Sequence, residues 1–269
     1  KSSKANNQIF KSLRHSMGVL GKIIVRFMPI APKFLVKRIA SRYVAGYDLE
    51  SAINLMKKMS VEDTSFTIDV LGEEINGIEE ARYFVEEYLR VLDSIVSNQI
   101  DANISLKPTA LGLLIDKDEA ISNIEQIIKK AALNDIFVRL DMEDHRVTQD
   151  TIDVVLIMQE KGYQNIGTVL QGRLFRTKKD IIDISKKLGP LSDFRICKGI
   201  YLESEDIAFT NYQDIVDSTN ECIESMLEMG CYTAIASHDL PIINHSLEKL
   251  KQMNMSCLLY TSPSPRDPL

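Results

Sequence analysis

The stretch "FRICKGIYLE", residues 194–203, has the pattern of a buried strand with two cations near its end. Phe194 and Ile196 alternate with polar residues, which is the period of a β-strand. Arg195 and Lys198 would be costly to bury without an anionic partner. The stretch therefore predicts a strand whose carboxyl end faces an anion.

Similar short runs recur about every 30 to 38 residues along the chain. They are "SFTIDVLG" (65–72), "ANISLKP" (102–108), "IFVRLD" (136–141), "GTVLQG" (167–172), "FRICKG" (194–199) and "CYTAIASHD" (231–239). Amphipathic helical patterns fill the gaps, and several of them end in a glycine, as helices commonly do. Repeated β-α units require parallel strands, because each helix carries the chain back. A doubly wound sheet and a (β/α)8 barrel both fit this alternation.

Polar side chains at the carboxyl ends of the strands favour the barrel. They are Lys107, Asp141, Gln171, Arg195, Lys198, Ser237, His238 and Asp239. A (β/α)8 barrel assembles its active site from the ends of many strands, whereas a doubly wound sheet uses one or two switch points. The sequence also lacks the glycine-rich motifs of dinucleotide-binding and P-loop proteins. We therefore predict an α/β fold of the TIM-like (β/α)8 class.

Alternation within the strands predicts which side chains meet. Arg139 and Asp141 fall on one face of their strand, as do Arg195 and Cys197 on theirs. If those faces line the barrel, Arg195, Asp141, Gln171 and His238 converge on its mouth. Each of them singly also fits a structural role, as a helix cap, a core histidine or an ion-pair partner. Polar residues at so many strand ends together favour a functional site.

The amino-terminal region is basic, and the rest of the chain is acidic. Residues 1–47 contain ten Lys or Arg and no Asp or Glu, while the remaining 222 residues hold 22 basic and 38 acidic side chains. We predict a basic helical arm over residues 1–64. Lysine, arginine and proline interrupt its apolar segment, so it is too short to span a bilayer. The arm packs on its own domain, lies on an anionic membrane surface, or serves as a targeting segment.

Composition argues against metal-binding and disulfide-rich classes. The chain is 45% hydrophobic and 26% charged, as is typical of a soluble globular protein. Its four cysteines form no C-x-x-C pair, and its four histidines lack the H-E-x-x-H spacing. We therefore predict no metal site and no disulfide framework, and we expect no nucleic-acid partner.

Seven motifs, in order and spacing, resemble those of the proline dehydrogenase family. They are "RYVAG" (42–46), "DVLGE" (69–73), "ISLKPTALG" (104–112), "VRLDMEDH" (138–145), "VLQGRLFRT" (169–177), "RICKGIYLE" (195–203) and "YTAIASHD" (232–239). The resemblance implies a distorted (β/α)8 barrel that oxidises L-proline to Δ1-pyrroline-5-carboxylate. It also implies FAD as the cofactor and a membrane quinone as the electron acceptor. The enzyme would then be cytoplasmic with peripheral contact at the inner membrane, or mitochondrial in a eukaryote.

The resemblance also implies roles for individual residues. Asp141 and Arg195 match catalytic positions, and Lys107 and Tyr201 match substrate-binding positions. The matches to cofactor-binding positions are Met142, Gln171, Arg195, Lys198, Gly199, Ile200, Ser237 and His238. Two residues of the stretch 195–203 depart mildly from the family pattern, with Cys197 in place of the usual Val and Ile200 in place of the commoner Ala.

The carboxyl-terminal part departs more seriously from the family. The six β-α units occupy about 185 residues, so two more would need about 60, and fewer than 20 follow the sixth helix. We therefore expect an incomplete barrel over residues 65–256 and an aberrant or disordered tail over residues 257–269. The family's last helix, whose two arginines clamp the proline carboxylate, would be missing. We expect such a chain neither to close its barrel nor to oxidise proline at a useful rate, unless it is a genuine short homologue.

Two other functional interpretations stay open at this point. One is a fragment without activity. The other is an aldolase-type lyase that uses Lys107 or Lys198 to form a Schiff base with a carbonyl substrate.

Overall fold

The computed structural model describes residues 48–62 and 64–256. The chain divides into two compact units, residues 1–55 and 56–269. The first described helix, α1, spans Leu49–Ser60. Most of the predicted basic arm and the whole predicted tail lie outside the described residues, so the proposed domain boundaries stay predictions.

Six strands and six further helices alternate along the described residues of the second unit. The strands are β1 (Phe66–Asp69), β2 (Ala102–Leu106), β3 (Val138–Leu140), β4 (Ile166–Gln171), β5 (Asp193–Cys197) and β6 (Tyr232–Ile235). The helices are α2 (Ala81–Asn98), α3 (Lys117–Ala132), α4 (His145–Glu160), α5 (Thr177–Leu188), α6 (Tyr212–Glu228) and α7 (Leu240–Gln252). Short 3-10 helices span Ile78–Glu80, Pro108–Leu111 and Gly189–Leu191.

All neighbouring strands are parallel, and their spatial order is their order in the sequence, β1 to β6. The sheet is a curled half-barrel, so the predicted incomplete α/β barrel is confirmed. Among the described residues, neither β1 nor β6 has a further strand on its outer edge. None of the described helices is long and apolar enough to cross a membrane.

The outer face of the sheet forms the core with the helices. Its buried apolar residues are Ile104, Leu106, Val138, Leu140, Ile166, Leu170, Phe194 and Ile196. Ile184 of α5 and Ile223 of α6 pack against the same layer. Helices that repeat apolar residues every three to four positions cover this face, which is why most of its side chains can be apolar.

The inner face of the sheet is polar. Strand register aligns Asp69 with Ser105, Ser105 with Arg139, and Arg139 with Gly167. Arg195 pairs in register with Val169 of β4, so it points to the same side as Arg139. The predicted inward placement of Arg139, Asp141 and Arg195 is therefore correct.

A buried ion pair fills the lower part of this inner face. The guanidinium of Arg139, 4% exposed, reaches across β4 to Asp193, with 2.6 Å between Nη1 and Oδ1. Gly167 provides the space, because an added Cβ would lie 2.5 Å from the Asp193 carbonyl oxygen and 3.0 Å from Arg139 Nη1. Arg195, two residues further along β5 than Asp193, is left without this carboxylate.

Candidate active site

A lysine between two carboxylates lies at the ends of β2 and β3. Lys107 donates to Asp141 Oδ2 at 2.9 Å, and its Nζ lies 3.2 Å from Glu73 Oε1. Burial opposes the charge of Lys107, but Asp141 and Glu73 outweigh that effect and raise its pKa above the ordinary value. The ammonium therefore stays charged and can bind an anionic group.

A buried tyrosine supports the neighbouring end of β1. The hydroxyl of Tyr88 lies 2.9 Å from Asp69 Oδ1 and 2.8 Å from the carbonyl oxygen of Ser105. Burial raises the pKa of Asp69, although the Tyr88 hydrogen bond and Lys107 act against that rise. Our sequence reasoning missed Asp69 and Glu73. They could have been identified, because they lie at the carboxyl end of the first strand, and polar residues at the carboxyl ends of the other five strands were identified in this way.

Arg195 is a cation of the inner face that no carboxylate of the described residues neutralises. It is half-buried, and among the described residues it has neither a hydrogen-bond acceptor nor a carboxylate at ion-pair distance. Burial lowers the pKa of its guanidinium, and the like charge of Arg139 lowers it further. A half-buried guanidinium without a partner favours a bound anion or a group that becomes negative.

The ends of β4 and β5 form a close-fitting recess around Gln171. Its side chain is 2% exposed, and Nε2 donates to the backbone oxygen of Glu143 at 2.7 Å. Its Oε1 has no hydrogen-bond partner among the described residues. Gly199, with φ +97°, approaches so closely that an added Cβ would lie 2.5 Å from that oxygen. The structure thus brings two of the predicted cofactor-binding residues together.

Lys198 has an internal partner, in contrast to Arg195. Its ammonium is paired with Asp239, and it lies 5.2 Å from the ring centroid of Tyr212. The Tyr212 hydroxyl donates to the other oxygen of Asp239 at 2.8 Å. Of the two cations in "FRICKGIYLE", only Arg195 lacks an anionic partner among the described residues. A contact between Lys198 and a cofactor phosphate stays a prediction.

Tyr201 joins the lysine cluster, with its hydroxyl 3.3 Å from Glu73 Oε1. Ile200 is 77% exposed, and His238 is exposed beyond the end of β6. Ser237, beside it, accepts a hydrogen bond from the backbone N–H of Asp239 at 3.1 Å. The structure therefore gathers Tyr201 with Lys107, whereas Ile200 is exposed after β5, and Ser237 and His238 follow the edge strand β6.

Met142 occupies a different environment from the other predicted cofactor residues. Its side chain is buried among Ile152, Leu170 and other residues of the core. Its backbone N–H donates to Asp141 Oδ1 at 3.2 Å. Its side chain therefore serves packing, and a direct flavin contact stays a prediction.

Glu143 is a further buried acid that our sequence reasoning did not single out. It is 4% exposed, and its carboxylate accepts hydrogen bonds from the backbone N–H and the hydroxyl of Thr109. Burial raises its pKa to about 7, with the two Thr109 hydrogen bonds acting in the opposite direction. Its position just after a strand end, beside Asp141, is the signal that could have identified it.

Comparison with known proteins gives consistent matches. A family model described as Proline dehydrogenase matches residues 52–258. Proline dehydrogenase 2 of Bacillus subtilis (strain 168) is 36% identical over 213 residues, which cover 79% of this chain and 69% of the relative. Proline dehydrogenase 1 of Bacillus subtilis subsp. natto is 33% identical over 205 residues, covering 76% of this chain and 66% of the relative.

A solved structure shares the fold. The crystal structure of proline utilization A (PutA) from Bdellovibrio bacteriovorus, inactivated by N-propargylglycine, matches with a TM-score of 0.76 and 21% identity. The match covers 93% of this chain and 30% of that chain. This chain thus spans about two thirds of the curated relatives and under a third of the PutA chain. With the family model covering most of its length, the chain belongs to the proline dehydrogenase family, a family of enzymes.

Proposed function

We propose that this chain carries the site at which L-proline is oxidised to Δ1-pyrroline-5-carboxylate, with FAD as cofactor and a quinone as electron acceptor. The observation that carries this proposal is the guanidinium of Arg195, which has no partner among the described residues and lies on the inner face that also bears Asp141. It is the arrangement expected where negative charge develops during the reaction. The relatives named proline dehydrogenase support the choice of substrate.

The residues at the ends of β4 and β5 fit a flavin. Gln171 offers a buried carboxamide oxygen without a partner among the described residues, and Gly199, which has no side chain, lies close beside that oxygen. Together with Arg195, they would hold the ring system. When bound, FAD supplies the acceptor for a hydride from the substrate. Arg195 would stabilise the negative charge that arrives with it, most strongly where water is excluded.

The ends of β1, β2 and β3 fit a small amino acid. Lys107 is held charged by its neighbours and can bind the carboxylate of proline. Asp141 and Glu73 accept hydrogen bonds and can receive the N–H groups of the ring nitrogen. In the present geometry both carboxylates contact Lys107, so a bound carboxylate would compete with them for the ammonium. Tyr201 lies beside Glu73 and would limit the size of the ligand.

The Schiff-base alternative fits less well. A lysine nucleophile needs a lowered pKa, whereas the pKa of Lys107 is raised, and Lys198 is paired with Asp239. Borohydride trapping of a carbonyl compound on either lysine would support the lyase. Flavin absorbance that co-purifies with the chain, without such trapping, would support the oxidoreductase.

The decisive experiment is a dye-reduction assay with L-proline on residues 1–269. A second sample carries the same chain extended by the residues of the Bacillus subtilis relative that lie beyond its match. We expect flavin binding in both samples, and proline-dependent reduction in the extended sample at least. If neither sample binds flavin nor reduces the dye with proline, the proposal is wrong.

We also propose that the enzyme is cytoplasmic, or mitochondrial in a eukaryote, and contacts the inner membrane peripherally through its basic arm. The ten cations of residues 1–47, which lie outside the described residues, would each favour an anionic surface by at most about 1 kcal/mol. Sedimentation with anionic vesicles at low and high salt tests this. Binding only at low salt is expected, and no binding at either salt would contradict it.

A further inference from the structure

The turn that follows Lys107, at the end of β2, is held by hydrogen bonds to a residue that follows β3. Lys107 leads directly into the 3-10 helix Pro108–Leu111, whose first residue has no N–H. The first available donor of the turn is therefore the N–H of Thr109. It donates to Glu143 Oε2 at 2.9 Å, and the Thr109 hydroxyl donates to the other oxygen of the same carboxylate.

Both partners of this contact are buried. Thr109 is 2% exposed and Glu143 is 4% exposed, so water does not compete for the two hydrogen bonds. Hydrogen bonds to an ionised carboxylate are stronger than neutral ones, and leaving either group unpaired would be costly. Together they fix the backbone of the turn just after Lys107.

The same contact reaches two other loops. The backbone oxygen of Glu143 accepts from Gln171 at the end of β4. The hydroxyl oxygen of Thr109 accepts from the backbone N–H of Glu74 at 3.0 Å, next to Glu73. Residues at or just beyond the ends of β1, β2, β3 and β4 are thus connected through one glutamate, by its carboxylate and its backbone oxygen, and one threonine.

The loop after β3 contacts the loop after β2 at two points. Asp141 bonds the side chain of Lys107, and Glu143, two residues later, bonds Thr109. The contact with Asp141 determines where the ammonium lies, and the contact between Glu143 and Thr109 fixes the backbone from which the Lys107 side chain extends. If the contact between Glu143 and Thr109 were lost, the lysine would be held less firmly against Asp141.

We propose that Glu143 is a positioning residue, which acts through Thr109 to hold Lys107 against Asp141 and acts through its backbone to hold Gln171. The inference deepens the proposed function, since Lys107 and Gln171 are there assigned to substrate and flavin. The placement of Lys107 itself, however, can be measured without either ligand.

The test measures how fast Lys107 reacts with an amine-labelling reagent at pH 8, with labelled peptides quantified by mass spectrometry. Only a neutral amine reacts, so a lysine held between two carboxylates reacts slowly. Lys179, whose side chain is 79% exposed, serves as the internal reference. The full chain is used throughout, and circular dichroism verifies that each variant is folded.

Four variants separate positioning from general destabilisation. Glu143→Gln and Thr109→Val each remove a hydrogen bond of the contact, and we expect Lys107 labelling to accelerate about tenfold relative to Lys179. Thr109→Ser keeps both donors and should leave Lys107 protected. Asp150→Asn removes a surface partner of Lys117 and should also leave Lys107 unchanged.

Lys107 labelling that stays at the wild-type rate in both Glu143→Gln and Thr109→Val would overturn the proposal. So would equal acceleration in Thr109→Ser or in Asp150→Asn. If Glu143→Gln fails to fold, the comparison of Thr109→Val with Thr109→Ser decides alone. None of these outcomes depends on flavin binding or on proline oxidation, so failure of the proposed function would be seen separately.

Discussion

Gly199 lies so close to Gln171 that a Cβ on residue 199 would come within 2.5 Å of Gln171 Oε1. The residue also has φ +97°, a conformation that side chains disfavour. We predict that Gly199→Ala lowers the affinity for FAD at least about tenfold, because the oxygen or the loop must move. Flavin retained after gel filtration measures this.

Gly162 provides the matched control for that substitution. Its φ is +95°, but an added Cβ would have nothing within 4 Å. Gly162→Ala therefore introduces a similar backbone strain without the contact. Equal flavin loss in both variants would show that strain, and not the close approach to Gln171, explains the effect.

Removal of the Arg195 charge should lower activity without lowering stability. We predict that Arg195→Met lowers proline-dependent turnover of a flavin-loaded, active chain about 10²–10³-fold, the usual cost of losing a preorganised charge. Because the guanidinium has no anionic partner among the described residues, its loss should leave the free energy of unfolding unchanged or higher. Urea unfolding and the dye-reduction assay measure the two effects.

Arg82→Met is the control for Arg195→Met, since Arg82 is exposed and, within the described part of the chain, pairs only with Glu86 on α2. It should alter neither turnover nor unfolding. A marked loss of stability in Arg195→Met would indicate that the guanidinium has a structural partner.

The close approach at Gly167 predicts a large stability effect. A Cβ there would lie 2.5 Å from the Asp193 carbonyl oxygen and 2.9 Å from Phe137 Cζ. Gly167→Ala should therefore destabilise the fold by about 1–3 kcal/mol, as overpacking of a core does. Urea unfolding is the measurement, with Ser97→Ala on the exposed surface of α2 as the control. An unchanged urea midpoint would contradict the close packing of the Arg139 side chain where it crosses β4.

Glu143 should make stability depend on pH. Burial raises its pKa from 4.5 to about 7, so between these values the folded state binds the proton more tightly than the unfolded state. Stability is therefore greatest when the group is protonated, and it falls as the pH rises through about 7. Glu73, Lys107 and Tyr201 are the charged or titratable groups coupled to it.

The measurement is urea unfolding of wild type and Glu143→Gln at pH 5 and pH 8. The stability of wild type relative to the variant should fall by about 2–3 kcal/mol over that interval. Glu160→Gln, at the exposed end of α4, is the control for the substitution. A difference that does not vary with pH would show that Glu143 titrates in its ordinary range.

Much of the site was predictable because strand periodicity determines which side chains share a face. The alternation in "VRLD" and "FRIC" placed Arg139, Asp141 and Arg195 inside the half-barrel, as observed. What periodicity cannot give is pairing between distant residues. Nothing in the local pattern distinguished Lys198, which meets Asp239, from Arg195, which has no carboxylate partner among the described residues.

Glu143 was missed for a related reason. It lies beyond the end of β3, where the two-residue period no longer holds. Its burial depends on Thr109, 34 residues away, and so on the packing of two loops. Met142 is the opposite case. Its place directly after Asp141 favoured a cofactor-binding role, but its side chain packs in the core.

The ammonium of Lys107 lies between the carboxylates of Glu73 and Asp141. We therefore expect the charges of a ligand, and not only its shape, to determine whether it binds at this end of the half-barrel. A zwitterion can satisfy both signs, because its carboxylate meets the lysine and its nitrogen meets the acids. A dicarboxylic amino acid of similar size would bring a second negative charge against two carboxylates, and no second lysine of the described residues is paired with them. We therefore expect this corner of the sheet to discriminate against acidic amino acids.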